Sequence, residues 1–324
     1  MLTNSGIGDK YKEAQIFEPY ALNILALYNF DDVDAINLGI SSLEPNIIRK
    51  NVEHFLNHHN IKTFLLSNTD VYLSQHYVHT ADFEKLYEYM GNLQANFIIQ
   101  TLGFTKKQIK DNIVEHPLLY PFNVKYQEIY TGKREHGFCF LNNLPKYFRL
   151  ELGYALWKND LLDDIIYTQN KKRSDVIVSD GLAETKLFKQ FVKNLPFDHP
   201  FNKGIDIAHD HTVDHPAYKD SYANIFSESE IEYEVCTEKT FKPFVAGQIP
   251  IPLACKGYLN YMRKLGFHTF DDLLGIDYDY LDYSYKILRI VEIVKKGKNY
   301  IEDYYNSNIE HIKNNNNNIK KFIL

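Results

Sequence analysis

Short apolar runs alternate along this chain with stretches in which apolar residues recur every three or four positions. In the first third, residues 35–40 read as a strand, 47–58 as a helix, and 62–67 as a second strand closed by the polar turn Asn68-Thr69-Asp70. Between 81 and 102, Phe83, Leu86, Tyr87, Met90, Leu93, Phe97 and Ile98 recur at helical spacing and Gly103 is a stop, so one long helix is expected. Another short helix is expected over 106–112. Beyond the polar, glycine-bearing stretch 130–137, residues 138–142 read as a strand, 147–158 as a helix, 163–167 as a strand and 183–195 as an amphipathic helix. A long polar loop, 196–220, then leads to a strand at 222–226. Thr237 can cap a helix carrying Phe241, Phe244 and Val245, which Gly247 stops. Residues 249–253 form a strand whose two prolines place it at a sheet end, and 258–265 a helix. Helices are expected over 283–294 and 299–313, whereas the asparagine run 314–318 is low in complexity and not expected to pack.

Strands alternating with helices imply an α/β chain with two Rossmann-like lobes and a cleft between them. The expected divisions are 1–133 as a first α/β lobe, 134–281 as a second, nucleotide-binding lobe, and 282–324 as C-terminal helices with an asparagine-rich tail. A chain of 324 residues is long enough for two such cores. The net charge of −6 argues against a broad phosphate-backbone footprint, though not against a local basic groove. Cys139, Cys236 and Cys255 are widely spaced in apolar contexts, so buried free thiols in a reducing compartment are expected. With no long apolar run and no leader-like N-terminus, a cytoplasmic protein is expected.

In doubly wound sheets a ligand sits beyond the carboxyl ends of the strands, where a helix N-terminus offers free N–H groups and a partial positive charge. The triplet Thr237-Glu238-Lys239 opens a helix at such a place. A carboxylate there can accept from two vicinal ribose hydroxyls, and an ammonium can neutralise phosphate oxygens. Arg149 falls in the first turn of the helix after the strand ending at Asn142, where its fork of donors can bind phosphate, or it can simply pair with Glu151 or Asp160. Glu228, between two serines, can face a sugar or nucleoside or be a solvated loop carboxylate. Lys242 can support Glu238 across one helical turn.

The string N-x-F-S-E-S…T-E-K-x-F-K-P-F-x-A-G-x-I-P-I, residues 224–251, resembles the donor-binding motif of fucosyltransferase-type glycosyltransferases of the two-domain GT-B fold, and is similar to viral and bacterial glycosyltransferase-like proteins. The likeness is strong over 222–274, moderate over 137–168 and absent over the first 130 residues. The family's E-N-S stands here as Ser227-Glu228-Ser229, with Asn224 upstream. The resemblance implies a sugar moved from a nucleoside-diphosphate sugar, GDP-linked rather than UDP-linked, to a hydroxyl acceptor without metal or other cofactor. It implies that Glu238 holds the ribose, that Lys239 and Arg149 bind the diphosphate, and that Asn142, Glu228 and Thr237 belong to the donor site; His215, close in sequence to Tyr218 and to this motif, is a further donor-site candidate that can touch the diphosphate.

An inverting reaction needs a general base from the first lobe; Asp70 is the candidate, with His76, His79, Glu115 and His116 as alternatives. The run His209–His215 has ligands suited to zinc or manganese, but no matching cluster stands elsewhere and no metal is expected. The acceptor is open among glycan, small molecule, protein and nucleic-acid base. Two other functions fit the same donor motif: an idle nucleotide-sugar binder serving assembly, and a DNA-modifying transferase.

Overall fold

The structure, a computed structural model, describes residues 35–39, 45–59, 62–67, 81–101, 107–117, 126–142, 146–169, 185–195, 197, 213–232 and 234–323. They fall into two compact units, Met1–Phe122 and Asn123–Ile323, each with its own sheet.

In the first unit the chain runs through β1 (Ala35–Gly39), α1 (Pro45–His59), β2 (Thr63–Ser67), α2 (Ala81–Gly91), β3 (Asn96–Thr101), β4 (Lys107–Lys110) and β5 (Ile113–Pro117). The sheet order is β1-β2-β3-β5-β4, parallel except for β4. Ile48 and Val52 on α1, and Leu86 and Met90 on α2, are each four residues apart and so share a face. They bury against Phe64, Leu66, Phe97, Ile99 and Ile113, and the Phe64 and Phe97 rings stack at 5.2 Å.

Two expected helices are corrected here. The helix from 81 ends at Gly91, and Asn96–Thr101 is the strand β3. Asn112 explains the break: its Nδ2 donates to the carbonyls of Met90, Leu93 and Ala95 at 3.0, 3.1 and 2.8 Å, satisfying groups that a longer helix would have paired internally. Phe97, Ile98 and Ile99 are all buried, as in a strand covered on both faces, and their apolar run mimicked a helical stripe. Lys107–Lys110 is the antiparallel edge strand β4.

The second unit contains β6 (His136–Asn142), α3 (Tyr147–Lys158), β7 (Ile165–Gln169), α4 (Lys186–Lys193), α5 (Ala217–Asp220), β8 (Ser221–Ser227), α6 (Glu238–Ala246), β9 (Ile249–Leu253), α7 (Tyr258–Lys264), α8 (Asp271–Leu274), α9 (Tyr283–Lys295), α10 (Gly297–Ser307) and α11 (Ile309–Ile323). Its four strands are all parallel, in the order β7-β6-β8-β9. Every residue of β7, β8 and β9 is buried, so these strands carry apolar runs rather than a two-sided alternation. Pro250 and Pro252 sit on the edge strand, where a missing N–H costs least. Gly247 ends α6 in the left-handed region at φ 62°, and a side chain there would meet Ile129.

The unit begins at Asn123, ahead of the expected division at 133, and its first segment is tied into it: Tyr126 donates to Asn316 Oδ1 at 3.0 Å, Gln127 donates to Asp214 at 3.2 Å, and Ile129 lies against Gly247. Arg134, just after it, is wired in more deeply. Its buried guanidinium donates to the carbonyls of Tyr218 (2.9 Å), Ser221 (2.8 Å), Ala246 (3.2 Å) and Gly247 (3.3 Å). The asparagine run is also corrected: it lies inside α11 and packs. Asn315 exchanges bonds with the backbone of His268, and Asn318 donates to Leu265. Asn316 donates to the carbonyls of Phe244 and Val245, which end α6. Cys139, Cys236 and Cys255 are buried free thiols, and burial pushes Cys139 up to about 11. Among the described residues no helix is long and apolar enough to cross a membrane.

Candidate functional site

Side-chain alternation shows how the second sheet is covered. Phe140 and Tyr167 are in ring contact at 5.7 Å, and α3 lies over them, with Gly153 so close to the Tyr167 hydroxyl that a Cβ would stand 2.1 Å from it. Ser227 points to the same face, where its Oγ accepts from Arg149 Nε at 2.8 Å. Glu228 points to the other face and bonds to Thr240 on α6. The chain therefore leaves β6 over one face and β8 over the opposite face, although the two strands are neighbours. Such a reversal opens a crevice at the carboxyl edge, flanked by the N-termini of two helices.

On the α3 side, the N-cap residue Lys146 gives the helix no side-chain cap, so among the described residues no N-cap side chain accepts from the first turn's N–H groups. Lys146 itself reaches across to the loop after β8, contacting the Ser229 carbonyl and Glu230 (2.5 Å). Arg149 is 4% exposed and is held by Ser227 Oγ and the Glu228 carbonyl (3.3 Å). Tyr147, at the head of α3, donates to Glu232 at 3.1 Å.

On the α6 side, Glu228 is the hub. It is 0% exposed and accepts from the backbone N–H groups of Ser229 and Thr237 and from the hydroxyls of Thr237 (2.6 Å) and Thr240. Burial raises its pKa, with the Lys239 charge and the threonine hydroxyls opposing. Glu228 thus locks the start of α6 to the end of β8 and presents no oxygen to solvent, which corrects its expected place against a sugar or nucleoside. Thr237 caps α6, its Oγ accepting from Lys239 N at 3.4 Å while bonding Glu228. Glu238 pairs with Lys239 Nζ at 2.5 Å. Burial pushes the Glu238 carboxyl up, but the charges of Lys239 and then Lys242 hold it below the ordinary range, so it stays an anion that accepts hydrogen bonds.

His215 is elsewhere. It precedes α5, its Nδ1 accepting from Ala217 N at 3.1 Å, and so sits at the amino end of β8. At about 3.3 Å per residue, the length of that strand, roughly 20 Å, separates it from the carboxyl edge. Its expected contact with the diphosphate is therefore corrected. Asp70, His76, His79 and residues 209–212 lie outside the described residues, and Glu115 and His116 fall in β5. Among the described residues no group of three or more metal-ligating side chains occurs.

Asn142 ends β6, its backbone N–H donating to Thr168 Oγ1 at 3.1 Å. Sequence reasoning missed Ser227 as the seat of Arg149 and Gln169 beside Asn142. A signal existed: in 138–142 and 165–169 the inward-facing sets Phe-Phe-Asn and Ile-Tyr-Gln each end on a carboxamide where another apolar residue would pack.

No family model, curated protein or solved structure matches the chain.

Proposed function

We propose that this chain is a glycosyltransferase of the GT-B type, whose second unit binds a nucleoside-diphosphate sugar and whose first unit carries the acceptor side. The observation that carries the reading is the reversal between β6 and β8, with the Glu238–Lys239 pair at one helix start and an uncapped helix start with Arg149 at the other. Glu238, held ionised, accepts from the ribose hydroxyls. Lys239 and the first-turn amides of α3 face the diphosphate, and Arg149 adds a fixed positive charge at its side. In the transfer, the bond between the sugar's anomeric carbon and the β-phosphate oxygen breaks as the acceptor oxygen bonds to that carbon. The acceptor's proton passes to a base, and the nucleoside diphosphate leaves with the electron pair. Positive groups at the crevice lower the cost of that charge without requiring a metal ion.

The test is a thermal-shift screen against UDP, GDP and their sugars, followed by an assay of sugar release. A ligand bound at one hundred times its Kd raises native stability by about 2.7 kcal/mol. Stabilisation with slow release supports a transferase; stabilisation without any turnover favours an idle binder; no stabilisation by any of these ligands overturns the donor site.

A further inference from the structure

Two side chains at the carboxyl edge take no part in the contacts above. Gln169 closes β7 and Asn142 closes β6, and the two are direct cross-strand partners. Counting back by two reaches Tyr167 and Phe140, so both carboxamides lie on the face that α3 covers. The next position in that row is Ser227, which holds Arg149. Gln169 is 0% exposed and, among the described residues, neither its Nε2 nor its Oε1 has a partner; Asn142 is 6% exposed and its Nδ2 has none among them either. A buried polar atom left this way has lost its hydration and regained no bond in exchange. Three together, on adjoining strands and beside a fixed arginine, mark a place that another molecule completes.

The missing complement has a definite polarity. Two unpartnered NH2 groups and one unpartnered carbonyl call for at least two acceptor lone pairs, one for each nitrogen, and one donor. A hydroxyl supplies that set. So does an acetamido group, whose oxygen accepts from both carboxamides while its N–H meets Gln169 Oε1. A methyl supplies none of it.

We infer that Asn142 and Gln169 form the sugar-reading subsite of the donor site, taking a hydroxyl or acetamido substituent of the transferred sugar. The inference rests on the proposed donor site, whose layout it extends. With the ribose at Glu238 beside β8 and the diphosphate at the β6/β8 crevice, the sugar continues over β6 toward β7. Each step along that row is one strand spacing, about 4.8 Å.

The experiment is calorimetric titration of the full chain and its Gln169→Met variant, which keeps the side chain's bulk and removes its polar end. The probes are UDP, GDP, UDP-glucose, UDP-N-acetylglucosamine, GDP-mannose and GDP-fucose. Gln169→Met is expected to leave the affinity for the bare diphosphate within about twofold and to weaken the preferred sugar donor about tenfold, the size of one lost buried hydrogen-bonding set. In the unaltered chain, UDP-glucose against UDP-N-acetylglucosamine separates the hydroxyl from the acetamido reading. A variant that keeps the original ratio of sugar donor to bare diphosphate overturns the subsite while leaving the donor site standing. Should Gln169→Met not fold, Asn142→Leu is read by the same ratio. If none of the six probes binds the unaltered chain, the donor site falls, and this inference with it.

Discussion

Two glutamates ten residues apart serve the second unit in opposite ways. Glu238 is kept ionised by Lys239 and Lys242 yet spends only one oxygen on an ion pair, whereas Glu228 spends both oxygens inside the protein. Glu238→Ala is therefore expected to weaken binding of the donor nucleotide about tenfold, the worth of one charge-assisted bond, with the melting temperature nearly unchanged; titration and a melting curve on the same sample check both halves. Glu228→Ala strands the Thr237 and Ser229 N–H groups and two hydroxyls at the start of α6. Its expected cost is about 2–4 kcal/mol, read as a lower urea midpoint at unchanged slope. Comparable stability losses in the two variants would mean that their roles are not divided this way. The sequence showed that both residues are acidic and near a helix start. It could not show which one turns inward, because that depends on Thr237 and Thr240 being presented by the first turn of α6.

At the scale of elements, α11 holds the end of α6 through side chains that imitate backbone. Asn316 Nδ2 donates to the Phe244 and Val245 carbonyls at 3.1 and 2.9 Å, and its Oδ1 accepts from Tyr126. Asn316→Ala is expected to cost about 2–3 kcal/mol by leaving those carbonyls unpaired. Asn314→Ala, on the exposed side of the same helix, is expected to be neutral or slightly stabilising through helix propensity; equal urea midpoints for the two would contradict the docking. The same helix carries His311, stacked on His268 at 3.9 Å. Burial, then the His311 charge, lowers the His268 pKa, while Asp272 and Asp271 act against them. Below about pH 6.5 the unfolded chain takes a proton that the folded His268 refuses. This contribution to stability is thus complete above that pH and lost as the pH falls toward the folded value. Urea midpoints at pH 5.5, 6.5 and 7.5 should fall with acidity, and less steeply in His311→Gln. Elements with a helical period and a stop residue, such as 147–158 and the helix ended by Gly247, were readable from sequence. Residues 96–101 were not, because an apolar run buried on two faces satisfies a helical period as well as a strand. The asparagine run misled for a related reason: composition alone does not show that carbonyls wait opposite.

At the scale of the whole molecule, the alternation of strands and helices was legible from sequence, but the order of the strands was not. Only the order β7-β6-β8-β9 shows that the chain reverses direction beside Arg149, since the strands that flank the crevice, β6 and β8, are separated in sequence by α3, β7, α4 and α5. All residues that build the proposed donor site, from Asn142 to Lys242, lie in the unit Asn123–Ile323. That unit has a parallel sheet, helices on both of its faces, and Arg134 and Asn316 tying its first and last segments to its middle. A fragment covering residues 123–324 is accordingly expected to fold alone in a single cooperative urea transition and to retain affinity for the donor nucleotide. A fragment that stops before α11 is expected to lose that cooperativity, because the end of α6 then has no Asn316 and the start of α6 bears Glu238 and Lys239. Nucleotide binding by the full chain but not by a folded 123–324 fragment would show that the second unit lacks a necessary part of the site. Binding by both would place donor recognition in the second unit and leave the choice of acceptor to residues 1–122.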